Sequence, residues 1–142
     1  MTTQTNVELV QQVYAAIGRG DIPRVLDAMA EDVEIHVPGP PEIPFAGTFK
    51  GHAGVAAFFQ AIGTNAEIHE FQPREFVAGD DAVVVLGRER LTARATAATW
   101  ETDWAMAWTL RDGKVSLLRE YHQTDAIAKA FQSQHETSQQ RS

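Results

Sequence analysis

The chain has no cysteine among its 142 residues, which removes disulfides, thiolate nucleophiles and cysteine-based metal sites together. Positive charge is sparse. Twelve Lys and Arg stand against 19 Asp and Glu, a formal net charge of −7, whereas a duplex-binding face needs clustered basic residues, so no nucleic-acid partner is expected. No apolar run approaches the roughly 20 residues of a spanning helix, and Met1–Asn6 lacks the basic and apolar regions of a secretory signal. A cytoplasmic protein that does not enter a membrane is expected. No glycine-rich phosphate loop is present, because Gly51-His52-Ala53-Gly54 is too short and wrongly placed. The histidines at 36, 52, 69 and 122 lack metal-ligand spacing such as His-x-x-x-His, and Ser116 with His122 has no placed acid to make a triad. Neither a metal nor a cofactor is expected.

Hydrophobic residues make up 44% and charged residues 22%, a globular balance, and the length suits one domain over 1–142 with an ordered core of about 6–132 and a polar tail at 133–142. Val7, Val10, Tyr14 and Ile17 recur at helical spacing behind a candidate Asn6 cap, and Gly18 and Gly20 end the run. Asp21 caps a second short helix with Pro23 in its first turn. Val33, Ile35 and Val37 alternate with polar residues as in a half-buried strand, stopped by Pro38-Gly39-Pro40-Pro41. The stretch through Ile43, Phe45 and Phe49 reads as an apolar loop, and a third helix starts near His52. Strand patterns follow at 67–78, 82–94, 99–110 and 115–123, then a last helix over about 124–132. Helices followed by a meander predict an α+β fold, with three N-terminal helices on one face of a curved antiparallel sheet.

Strand parity then sorts the later residues. A four-residue turn at Ala95–Ala98 sets Arg94 opposite Thr99, Arg90 opposite Asp103 and Glu89 opposite Trp104. Glu89, Trp104, Met106 and Trp108 share one largely apolar face, while Arg88, Arg90, Glu101 and Asp103 take the other, where opposite charges can pair across strands. The next turn leaves two arrangements. A three-residue loop at Arg111–Gly113 places Glu120 opposite Trp104 with His122 on the same face; a two-residue Asp112-Gly113 turn swings Tyr121 and Arg119 inward instead.

Gly-Asp at 20–21, Ala-Glu-Asp-Val at 30–33, Pro-Gly at 38–39, Phe-Ala-Gly-Thr-Phe-Lys-Gly at 45–51, Arg-Asp-Gly-Lys at 111–114 and Arg-Glu-Tyr at 119–121 together resemble the SnoaL-like branch of the nuclear transport factor 2-like superfamily. The resemblance covers about residues 6–132 and implies a cone-shaped fold. It favours the three-residue turn, and implies a homodimer through the outer sheet face. Ketosteroid isomerases of that superfamily use a Tyr and two acids where this chain has Val13, Val37 and Met106, and SnoaL-type cyclases use a His and an Asp where it has Met106 and Glu120. With Arg88 and Arg90 outside, the Asp-Arg-Asp arrangement of an epoxide hydrolase is disfavoured.

The face so defined is a candidate pocket for a small apolar or aromatic ligand. Tyr14, Trp104, Met106, Trp108 and Leu118 are its candidate binding residues, and Glu120, His122 and Glu89 its candidate acid/base groups. A carboxylate in an apolar pocket has a raised pKa, which suits proton transfer near neutrality. The expected activity is cofactor-free chemistry of the polyketide cyclase, isomerase or dehydratase type; the alternative is a binder that uses the same cone without catalysis.

Overall fold

The computed structural model describes residues 2–141, with side chains described through residue 132. Helix α1 (Thr3–Gly18) starts earlier than expected, because Thr2 rather than Asn6 accepts the capping bond from the Thr5 amide. Asn6 instead lies buried within the helix, where its Nδ2 donates to the Asp80 carbonyl at 3.2 Å and ties α1 to a distant turn. Helix α2 (Ile22–Asp27) is capped by Asp21, with Pro23 in its first turn, as its sequence predicts.

Strand β1 (Met29–Val37) is followed by β2 (Gly47–Lys50), a short strand inside the stretch read as loop, and then by α3 (Gly51–Asn65). Four long strands complete the sheet: β3 (Ala66–Ala78), β4 (Ala82–Ala93), β5 (Thr99–Arg111) and β6 (Lys114–His122). Helix α4 (Thr124–Arg141) closes the chain. Its backbone runs through the expected polar tail, whose side chains lie outside the described residues.

The six strands form one curved open sheet in the order β2-β1-β6-β5-β4-β3. The meander β3–β6 is antiparallel as predicted, but β1 joins β6 in parallel, so the sheet is mixed rather than purely antiparallel. The connection between β1 and β6 contains the rest of the sheet and a helix, long enough to permit a parallel pair. Alternate residues of β5 from Trp100 to Leu110 are buried on the concave side, in one core with Val10, Val13 and Tyr14 of α1 and Val55 and Phe58 of α3. Between Thr99 and Arg111 that face carries three tryptophans, and Gly87 on β4 makes room for one of them. A Cβ at Gly87 would stand 2.3 Å from Trp104 Cζ2 and 2.5 Å from the Gln72 carbonyl oxygen.

Both expected registers are displaced, and both displacements preserve the faces. In the β4–β5 pair Glu89 lies opposite Thr102 and Arg90 opposite Glu101, two residues from the expected pairing, because the turn follows Ala93, whose amide donates to the Ala98 carbonyl, with Ala97 at φ 61°. A shift of two is a whole pleat repeat, so inward residues stay inward. In the β5–β6 pair the turn is the two-residue one: Arg111 pairs with Lys114, and Asp112 and Gly113 both have positive φ, at 52° and 76°, as a type I′ turn requires. Alone, that turn would have pointed Tyr121 and Arg119 inward. A bulge reverses the outcome. Thr109 pairs with Leu117 while Leu110 pairs with Val115, leaving Ser116 as the extra residue, and beyond it Leu118 and Glu120 are buried. The three-residue loop is thus corrected to a two-residue turn plus a bulge, with Glu120 opposite Met106 and His122 opposite Trp104.

Candidate active site

Between the concave sheet face and helices α1 and α3 lies a cavity of about 430 Å³. Its walls are mostly apolar: Phe58, Phe59 and Ile62 come from α3, Ile17 from α1, and Phe71 and Leu91 from β3 and β4. Of the residues expected to bind ligand, Tyr14, Met106, Trp108 and Leu118 line it. Trp104 does not. Its indole lies in the space left by Gly87, stacked with Phe71 at 5.0 Å and Tyr14 at 6.0 Å between centroids, so it forms a layer behind the wall. The physical reason is local: only a residue without a side chain at 87 lets so large a ring lie on the neighbouring strand.

Tyr14 is held at both ends of its hydrogen-bonding capacity. Trp108 Nε1 donates to its hydroxyl at 3.0 Å, and the hydroxyl donates to Met106 Sδ at 3.2 Å. Burial pushes the Tyr14 phenol well above its usual range. The ring therefore presents a protonated, already engaged hydroxyl, which helps shape the cavity and is not available as a base.

The ionisable lining groups gather at one place. Glu89 from β4 and Glu120 and His122 from β6 all line the cavity, and both carboxylates are buried. His122 Nε2 stands 3.4 Å from Glu89 Oε1 and 3.7 Å from Glu120 Oε1, so one imidazole nitrogen faces two carboxylates. Burial raises the Glu120 carboxyl from 4.5 to about 7; the nearby Glu89 adds to the rise and His122 opposes it. His122 is subject first to burial, which lowers its proton affinity, but the two carboxylates outweigh this and raise it. At neutral pH Glu120 is therefore divided between acid and carboxylate, and the carboxylates favour the protonated form of His122 beside it. His122 Nδ1 is buried and has no hydrogen-bond partner among the described residues.

One member of this constellation does not stand out in the sequence. Trp100 Nε1 donates to Glu89 Oε2 at 2.9 Å. Glu89 lies opposite Thr102, which makes Trp100 and Trp104 its diagonal neighbours on β5. The signal is the same alternation that places Trp104, read four residues back toward the start of β5. Arg88 and Arg90 lie on the convex face with Glu101 and Asp103, where Arg88 reaches Glu101 at 2.9 Å and Asp103 at 3.2 Å. No Lys or Arg lines the cavity among the described residues. Nor do any of the described His, Asp and Glu side chains form a group of three or more able to hold a metal ion. His36 pairs with Glu34 at 2.8 Å and His52 contacts the Met29 carbonyl, both away from the cavity. No helix of the described chain is long and apolar enough to cross a membrane.

The profile of the SnoaL-like domain family matches residues 10–118. A crystal structure of a nuclear transport factor 2-like protein from Burkholderia xenovorans is similar at 43% identity. It covers 92% of this chain and 98% of that one, with a TM-score of 0.86. The structure of TerC, co-crystallised with polyporic acid, is similar at 31% identity over 90% of this chain and 98% of that one, with a TM-score of 0.81. An uncharacterised protein of Mycobacterium tuberculosis is 28% identical over 131 residues, 92% of this chain and 98% of that relative.

Proposed function

Because this chain belongs to the SnoaL-like domain family, we propose that its cavity carries out cofactor-free acid–base chemistry on a small apolar or aromatic organic molecule, of the cyclase, isomerase or dehydratase type. The observation that carries this reading is the buried cluster of Glu89, His122 and Glu120 at one wall of an otherwise apolar cavity. An apolar body has somewhere to sit, and its reactive oxygen or carbon has one set of proton-handling groups to meet. That TerC was co-crystallised with polyporic acid supports an organic ligand of this kind. The absence of Lys and Arg from the described lining supports an unphosphorylated one.

Glu120 is the group that moves the proton. With its pKa raised to about 7, the carboxylate is a stronger base than an ordinary Glu, and the acid form is still present at neutrality to return the proton. As base it removes a proton from carbon next to a carbonyl; as acid it protonates an oxygen or the neighbouring carbon. The His122 imidazolium stabilises negative charge that develops on the ligand, with Glu89 as its counter-ion. Epoxide hydrolysis of the Asp-Arg-Asp kind finds no support, since Arg88 and Arg90 face away.

The test uses the exchange of the carbon-bound α protons of 2-tetralone into deuterated water, followed by proton NMR, with polyporic acid as a separate binding probe in calorimetry. Glu120→Gln should retain binding while slowing catalysed exchange by about 10²–10⁴-fold. If polyporic acid binds while wild type and variant exchange 2-tetralone equally slowly, the cavity is a binding site without catalysis.

A further inference from the structure

We propose that Trp100 is a positioning residue of this site: by holding Glu89, its indole N–H decides which of the two buried carboxylates exchanges the proton. The inference rests on the acid–base reading of Glu120. The two carboxylates stand almost symmetrically about His122 Nε2, at 3.4 and 3.7 Å. Besides the closer approach of His122, which hydrogen-bonds Glu89 and not Glu120, what sets Glu89 apart is the buried bond from Trp100 Nε1 to its other oxygen, at 2.9 Å. Among the described residues no side-chain donor makes a corresponding hydrogen bond to Glu120. A hydrogen bond donated to a carboxylate favours its charged form, so of two neighbouring acids the one without the donor takes up the proton first. Trp100 thereby leaves the exchangeable proton to Glu120.

The indole is held in place for this purpose by two other elements. Its ring stacks on Phe45, from the segment after β1, at 6.2 Å and meets the ring of Phe131 of α4 at 5.6 Å with a 46° tilt. The direction of the N–H is therefore set by packing from α4 and from the segment between β1 and β2, and Glu89 is oriented with it. The titratable groups facing the cluster are few. Glu89 comes from β4, Glu120 and His122 from β6 and Tyr14 from α1, while the cavity wall supplied by α3 is apolar. Tyr14 stays protonated, so proton partition among the remaining three is what the indole biases.

A purely structural role for Trp100 predicts something different, and a double-variant comparison separates the two. The δ-carboxyl carbon of Glu120 is titrated by carbon-13 NMR in the wild type, Trp100→Phe, Glu89→Gln and the combined variant. Trp100→Phe should lower the Glu120 midpoint by about half a pH unit or more, roughly a threefold loss of proton affinity. In the Glu89→Gln background, where the carboxylate to be held is gone, the same substitution should leave that midpoint nearly where it was. An unmoved midpoint in Trp100→Phe, or an equal movement in both backgrounds, overturns the proposal. Should Trp100→Phe not fold, site-specific replacement by β-(3-benzothienyl)alanine keeps the ring shape and removes only the N–H, and is read in the same way. The titration does not depend on turnover. If it behaves as expected while 2-tetralone exchange is unaffected by Glu120→Gln, the positioning stands and the catalytic reading falls.

Discussion

Replacing Glu120 by Gln should make the fold less sensitive to rising pH, and the size of the change follows from the burial of this one carboxyl. In the folded chain Glu120 titrates at about 7 rather than 4.5. Its folded-state pKa is raised, so the native state binds the proton more tightly than the unfolded chain does. That contribution is fully present below about pH 4.5 and is lost as pH rises through about 7. At about 1.4 kcal/mol per pH unit the whole displacement is worth roughly 3 kcal/mol, of which about 2–3 kcal/mol should disappear between pH 5 and pH 8. His122, whose affinity is also raised, loses stability in the same direction. Glutamine keeps the shape and removes the charge, so Glu120→Gln should lack this loss. The assay is urea unfolding of wild type and variant side by side at half-unit intervals from pH 5 to 8, so that contributions from every other group largely cancel. The stability difference should move in favour of the variant by about 2–3 kcal/mol across the range. A difference that stays constant would mean that Glu120 titrates as an exposed carboxylate, and the argument for its role as a neutral-pH base would fail.

Trp104→Ala should cost about 3–5 kcal/mol in thermal or urea unfolding, since the ring is packed against Tyr14 and Phe71, yet should leave the ionisable groups of the cavity in place. Gly87→Ala should destabilise by about 1–3 kcal/mol or more, because the added carbon meets both the Trp104 ring and a backbone carbonyl. Tyr14→Phe removes the acceptor of the buried Trp108 N–H and should cost about 1–3 kcal/mol while the Glu120 titration persists. We further propose that the convex face, where Leu86 and Tyr121 are exposed beside the Arg88 ion pairs, joins two copies. Sedimentation velocity at micromolar concentration should show a dimer, and Leu86→Asp a monomer.

The fold was legible because its signals are redundant. β4 and β5 carry clear burial alternation, and the turns at Gly79-Asp80-Asp81 and Asp112-Gly113 are marked by residues that suit them. β2 was not legible, since four residues are too few to show a period and its pairing with β1 is a tertiary fact. The parallel pairing of β1 with β6 leaves no local trace for the same reason. For the site, the alternation placed Glu89, Glu120 and His122 on one face, but it could not give the registers, which depend on turn geometry. Trp104 was assigned to the cavity wall because parity tells which face a residue occupies and not whether a ring stands up from the sheet or lies along it. The answer came from Gly87 on another strand. The role of Trp100 is not legible in the sequence, because it rests on a diagonal contact that exists only with Glu89 paired to Thr102.

The extra residue at Ser116 gives this site an unusual dependence on counting. Ahead of it Val115 is buried; behind it the inward positions are Leu118 and Glu120, so the strand changes phase once, and everything chemical lies after the change. Deleting Ser116 would leave Glu120 and His122 inward, because Thr109 already pairs with Leu117. Were Ser116 instead taken into a regular ladder with Leu110 still opposite Val115, composition, turn and length would be unchanged, yet the alternation would carry Glu120 and His122 to the outside and bring Arg119 and Tyr121 in. The acid cluster would become a cationic, phenolic one without a single substitution. The chemistry of the inward face thus depends on the bulge staying open, four residues before Glu120. Comparison of relatives at Glu120 has meaning only after the bulge has been aligned.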